Sequence, residues 1–323
     1  MKKIIMLCAL LFSAQWSLAC DQCGCGLLLG VQPYDHANNF GLQWRMRYLQ
    51  GDIMNEAATD ELKVLKHGGD AHANGSEMPA SSENTEIYMV LEARGQFWFG
   101  QHLSLTASVP LLNNYAAVDN VTETDLYAVG DPLLLGRYVV MGSKSGPDTT
   151  RLRHRLTVGF GVKLPLAKRG VTQYGQTLDP DMQPSTGTWD EMASVEYSVR
   201  GKVWGTSLSL FGRYNGTASD GFQLGHAVNF KADMFRVIPI KSVQLLPSAG
   251  VYVEDLMTDM DNGMSDKTTG GYTVFSDLGM QLWWKDLGFS FAWQQALIND
   301  LGSQMVPNKV RLIAGLTFNF DRQ

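Results

Sequence analysis

The chain of 323 residues contains no run of 18 apolar residues, only four cysteines, 18% charged residues and no surplus of basic ones. Each scarcity excludes something. Without a long apolar run there is no helical membrane span. With 26 Lys and Arg against 32 Asp and Glu, the net charge of -6 would repel a nucleic-acid backbone rather than bind it. At 45% hydrophobic residues the chain is also too apolar to stay disordered, because it can bury enough surface to offset its ordering entropy. Catalytic signatures are missing as well: there is no GxSxG elbow, no HExxH helix and no P-loop.

What is present begins with an export signal. Lys2 and Lys3 precede the apolar stretch Ile4 to Phe12, and Ser17, Leu18 and Ala19 supply the small-residue cleavage site, so 1–19 reads as a secretory signal peptide. The mature chain then starts at Cys20 as CDQCGCG, with Cys20, Cys23 and Cys25 its only cysteines. Three thiols cannot all pair within one chain. Three readings stand: acylation of Cys20, a disulfide tying a short terminus, or a thiolate site for a soft metal ion, copper or zinc. Segment 20–38 is read as a Cys-rich periplasmic stretch or partial plug.

From residue 39 the dominant signal is alternation with period two, which places odd and even positions on opposite faces of a strand. Leu152, Leu156, Val158, Phe160, Val162 and Leu164 share one face, and Arg153, Arg155, Thr157 and Lys163 the other. Twelve such runs occur, near 39–51, 85–99, 101–112, 124–141, 151–164, 190–204, 206–216, 222–237, 242–256, 271–285, 287–298 and 308–320. Connections after the second, sixth and tenth are tight, whereas those after the first, fifth and ninth are long. This is the asymmetry of an all-β, transmembrane antiparallel β-barrel of about 12 strands, with both termini in the periplasm. The barrel is expected over 39–320, followed by a tail at 321–323.

A soluble sandwich also alternates, but its core would bury the long charged side chains expensively. The polar face therefore lines a lumen, with candidates Arg45, Arg47, Glu92, Arg94, Arg153, Arg155, Lys163, Glu196, Arg200, Lys202, Arg213 and Arg311. Lys231, Asp233, Glu254, Asp277 and Lys309 fall on the same face, which makes the expected lumen net basic and favours organic anions. Rings near strand ends, at Phe97, Phe99, Trp204, Trp283, Trp284, Trp293, Phe318 and Phe320, read as interfacial girdles. Gly315, Phe318 and Phe320 sit at the spacing of a C-terminal signal for the barrel-assembly machinery. The loop at 165–189, with Pro180 and Pro184, is long enough to fold over or into the pore. His102 and Ser104 stand two apart, on the face read as lumen, whereas a phospholipase needs its pair facing lipid; no catalytic residues are assigned.

The segments AVGDPLLLGRY (128–138), GVKLPLAKRG (161–170) and QPSTGTWD (183–190) resemble, in order and rough spacing, outer-membrane transporters associated with the meta-pathway of phenol degradation. The CDQCGCG terminus resembles that of a subset of exported barrels grouped as transporters. The resemblance implies an outer-membrane barrel, Gly130, Asp131, Gly187 and Asp190 as barrel landmarks, and passage of small hydrophobic or aromatic compounds. The expected function is thus a non-enzymatic outer-membrane channel or transporter in a diderm bacterium, with lipid, assembly machinery and a small solute as partners. The alternative is a non-conducting anchor whose Cys-rich terminus docks a metal or a redox partner.

Overall fold

The computed structural model describes residues 37–54, 81–143 and 152–322. Twelve antiparallel staves form the wall: β1 (Ala37–Met54), β2 (Ser81–Phe99), β3 (Leu103–Val118), β4 in two pieces (Val121–Val129 and Leu133–Gly142), β5 (Arg153–Lys163) and β6 (Asp190–Arg200). The circuit continues through β7 (Trp204–Tyr214), β8 (Ala227–Arg236), β9 (Val243–Leu256), β10 (Gly271–Trp284), β11 (Leu287–Leu301) and β12 (Asn308–Arg322). Each stave pairs with its neighbours in sequence, and β1 pairs with β12 over thirteen positions, from Ala37 opposite Arg322 to Leu49 opposite Asn308. The sheet is therefore closed and its ladder has no free edge along this seam. The barrel starts two residues before the expected position and takes in most of the expected tail. Among the described residues no helix is long and apolar enough to cross a membrane.

Period-two alternation decides the inside from the outside. On β1, Phe40 and Leu42 are exposed on the outer face while Asn39, Gln43 and Arg47 are buried within. On β11, Phe289, Phe291 and Trp293 face out, and Ala292 and Gln294 face in. A belt of exposed leucine, valine and aromatic side chains encircles the wall, an outer surface built for hydrocarbon. Phe97, Phe99, Trp204, Trp284, Trp293 and Phe318 belong to it. Trp283 does not: it is 6% exposed and packs inside with Phe235, Val237 and Leu246. In the Trp283–Trp284 pair alternation forces one ring inward, and Trp283 donates its indole N–H to Gln281 Oε1 at 3.2 Å.

At one rim the links are tight, as at 100–102, 201–203 and 285–286. At the other rim β3 and β4 run on past the expected strand ends to a two-residue turn, where Asp119 and Asn120 take positive φ values of 48° and 64°; Asn and Asp tolerate this conformation better than other residues with side chains. β4 is interrupted at Gly130, Asp131 and Pro132. Proline has no N–H to give a ladder, so the outer piece of β4 pairs with β3 alone, while Leu133 begins the piece that also pairs with β5. Beyond Lys163 the chain leaves the wall and the 164–189 loop folds into the lumen. Leu178 and Met182 pack there against Leu49, Tyr88 and Val306, and Asn114 Nδ2 donates to the carbonyl of Met182 at 3.1 Å.

Candidate functional site

The three segments that carry the family resemblance meet at one place, through Asp131, Lys163 and Asp190, which stand 27 to 59 residues apart in sequence. Lys163, at the end of β5, puts its Nζ 3.1 Å from Asp131 Oδ2 and 2.7 Å from Asp190 Oδ2. It also donates to Thr186 Oγ1 at 2.5 Å. Asp131 sits in the β4 interruption, where it accepts from Ser185 Oγ at 2.7 Å and from the Ala167 amide at 2.9 Å. Asp190 opens β6 and accepts from Thr188 Oγ1 at 2.6 Å and from the Gly216 amide at 3.2 Å. All of these side chains are buried. Gly187 holds φ at +72° and lies against the side chain of Arg169, so a residue with a Cβ would be strained there and would meet that side chain. The expected landmarks are thus a latch: two carboxylates and one ammonium pin both ends of the inward loop to the wall.

Four further charged sets line the lumen. Arg45 and Arg94 meet Glu92 at 3.3 and 2.8 Å. Arg47 and Arg311, opposite each other across the β1–β12 seam, both meet Glu254 at 3.2 Å. Arg137 pairs with Glu196. Lys231 bridges Asp233 and Asp277 at 3.1 and 3.0 Å. Together with the latch these five sets hold seven bases and seven acids, so the ion-paired part of the lumen is balanced, and the further inward arginines keep the whole on the basic side expected from sequence. Arg137 is a lumen residue that the pattern hides, because Leu133, Leu135 and Val139 on the same face are apolar and blur the alternation. Arg155 faces in, with its guanidinium 5.2 Å from the Trp98 ring centre; Arg153 and Arg200 are register partners on β5 and β6 near the tight-turn rim. Arg213 is buried inside β7. Lys202 is corrected: β6 ends at Arg200, and Lys202 is exposed in the following turn. Lys309 is likewise exposed, since the register shifts between Tyr48 and Leu49 and brings Asn308 inside instead.

Between the charged sets lie apolar clusters. Leu133, Leu135, Met192 and Phe211 form one at mid-wall, and Phe235, Val237, Leu246 and Trp283 form another toward the tight-turn rim. A cavity of about 30 Å³ beneath the inward loop touches Val90, Leu112 and Pro184 as well as Glu92 and Lys163. It has room for a water or two. Ser104 faces inward and accepts from Gln96 Nε2 at 3.4 Å. His102 stands apart from it, exposed at the turn and stacked on Tyr138 at 5.9 Å, so the two do not form a nucleophile–base pair. Cys20, Cys23 and Cys25 lie outside the described residues.

The loop contacts above the barrel are acid-rich. Burial, with Asp266 adding to it, pushes the Asp259 carboxyl up to about 6, although the Gly225 amide, 2.7 Å from Asp259 Oδ1, pulls the other way. Burial and the nearby Asp259, Glu86 and Asp179 hold Asp181 well above the usual carboxylate range. Raised values mean that the folded loops bind more protons than the unfolded chain between pH 3.8 and about 6. Their stability therefore falls as pH rises through that window and is regained on acidification. Amides of 257–270 are expected to be better protected from hydrogen exchange at pH 5 than at pH 7.5, after correction for intrinsic rates. Asp259→Asn is expected to remove most of the difference, and equal protection at both pH values in the parent would refute the assignment.

No family model matches the chain, and no curated protein matches it. Among solved structures, an outer membrane channel from Pseudomonas putida F1 aligns over 90% of this chain and 100% of its own, with a TM-score of 0.56 at 13% identity. The β-domain of the Bordetella autotransporter BrkA (88% and 100% covered, TM-score 0.40, 12% identity) and LpxR from Salmonella typhimurium (87% and 100%, 0.44, 10%) are more distant. The fold is that of an outer-membrane β-barrel.

Proposed function

We propose that this outer-membrane barrel is a channel for small uncharged compounds of aromatic or otherwise hydrophobic character, closed at rest by the inward 164–189 loop. The observation that carries the reading is the lumen's composition. Buried apolar clusters from Leu49 and Tyr88 down to Leu246 and Trp283 alternate with ion pairs whose charges balance. A base already satisfied by a wall carboxylate gives a passing organic anion little attraction to offset the cost of leaving water, whereas an uncharged ring gains from each apolar cluster it passes. The likeness to the Pseudomonas channel supports this through the shared fold.

The reading is tested by initial uptake rates of labelled compounds into diderm cells with and without the protein, where a lipopolysaccharide leaflet makes passive entry of hydrophobic solutes slow. Phenol-class and alkylbenzene probes are expected to enter several-fold faster with the protein present, and benzoate and a hexose at unchanged rates. Faster entry of benzoate alone would replace the proposal with anion passage; no acceleration of any probe would remove the channel reading.

A further inference from the structure

Asp233, Gly250 and Asp277 stand abreast on β8, β9 and β10. Glycine between them is required by close packing, since a Cβ at 250 would run into the Asp233 carboxylate and the Ala232 carbonyl. The gap it leaves lets two inward carboxylates face the lumen with no side chain between them. Their contacts are one-sided. Lys231 Nζ takes Oδ2 of both, and Gln294 Nε2 donates to Oδ2 of Asp277 at 2.6 Å. The Oδ1 atoms of Asp233 and Asp277 are buried and have no protein partner, and Asp277 is 0% exposed. Two carboxylates and one ammonium leave the set with one negative charge in excess.

Both acids line a cavity of about 40 Å³ whose other polar walls are Lys231, turned to the Oδ2 atoms, and Ser248, Gln281 and Ser290. A buried carboxylate oxygen without a donor is costly. Water would supply hydrogen bonds but not the missing charge. A divalent ion would reverse the imbalance and wants more anionic oxygens than two acids beside a lysine can give. The volume suits one small ion with a single water. We propose that this cavity binds one alkali-metal cation, held by the free oxygens of Asp233 and Asp277 with the hydroxyls of Ser248 and Ser290 completing an oxygen shell. The site is separate from the latch, and its occupancy does not depend on which solute the channel passes.

The test uses the full mature chain, purified in detergent into a choline chloride buffer. Rubidium-86 is expected to bind saturably at one ion per chain, and crystals exchanged into thallous salt are expected to show one anomalous peak in the cavity. Asp277→Asn is expected to weaken rubidium binding by about ten-fold or more, and Ser290→Ala, which leaves the charges in place, to weaken it less. Because the first variant risks misfolding, heat-modifiable gel migration of both variants checks the barrel, and melting of the parent in potassium against choline chloride at equal ionic strength gives a second readout. A parent that melts at the same temperature in both salts, with no saturable rubidium and no anomalous peak, overturns the proposal. So does stabilisation by acid in choline alone, which would make a proton the occupant.

Discussion

Lys163→Met is expected to release the 164–189 loop from the lumen and to raise single-channel conductance several-fold. The substitution keeps the stem of the side chain and removes the charge that Asp131 and Asp190 share at 3.1 and 2.7 Å. Removing one partner of a buried ion pair costs about 3–5 kcal/mol, because the remaining charge stays desolvated. Here two carboxylates are left facing one another. The wall cannot yield easily, since Leu133 and Lys163 are register partners within the closed ladder. The loop can, and moving it outward admits water to both acids. Trypsin is expected to cut after Lys168 and Arg169 in the variant and not in the parent, where Arg169 is engaged with the Thr186 carbonyl and with Asp220. Adding Asp131→Asn and Asp190→Asn to the variant is expected to restore most of the parent behaviour, because the neutral amides no longer repel. Unchanged conductance and unchanged proteolysis of the single variant would show that the latch does not hold the loop.

Glu254→Gln is expected to produce the largest loss of stability of any single lumen substitution. Glu254 is 0% exposed and lies between Arg47 and Arg311. Those two arginines are directly opposite on β1 and β12, the strands that close the barrel. Like charges at paired positions destabilise a ladder, and Glu254 reaches them from β9, on the other side of two intervening strands. Its neutral isostere still accepts hydrogen bonds but leaves two buried cations side by side, at a cost of about 3–5 kcal/mol. The temperature at which the folded, fast-migrating form disappears on unheated gels is expected to drop by several degrees. Arg311→Gln in the same chain is expected to recover part of it. A variant as heat-resistant as the parent would mean that the seam does not depend on this carboxylate.

The wall was readable in the sequence because alternation is a local signal, visible in β5 or β12 without knowledge of any other strand. What was hidden depended on partners far along the chain. Asp131 and Asp190 stood out only as landmarks, since their common partner Lys163 is 32 residues from one and 27 from the other, and their chemistry exists only once the loop is folded inward. The size of the lumen's basic surplus was overestimated for the same reason. Counting one face of each strand omits Asp131, which sits in a break between strands, and Asp190, where a strand begins, and it includes Lys202 and Lys309, which lie exposed; it also misses Arg137, whose neighbours on that face are apolar. Trp283 and Lys202 show the remaining limit. Two adjacent aromatics at a strand end do not say which ring turns inward, and a lysine two residues beyond a strand keeps the parity of the lumen without its position.

The β1–β12 seam also shapes how such a barrel can be made. Eleven of the twelve strand pairings join neighbours in sequence and form as hairpins or local returns. The twelfth joins residues near 40 to residues near 318. Loop-closure entropy for a separation of that size is about 5 kcal/mol, and until it is met both terminal strands keep open edges that any other extended chain can capture. Assembly therefore has one slow, chain-length-dependent step, and that step is the one at which Arg47 and Arg311 must approach. A catalyst that held β1 and β12 in register would accelerate the whole process by acting on this pairing alone.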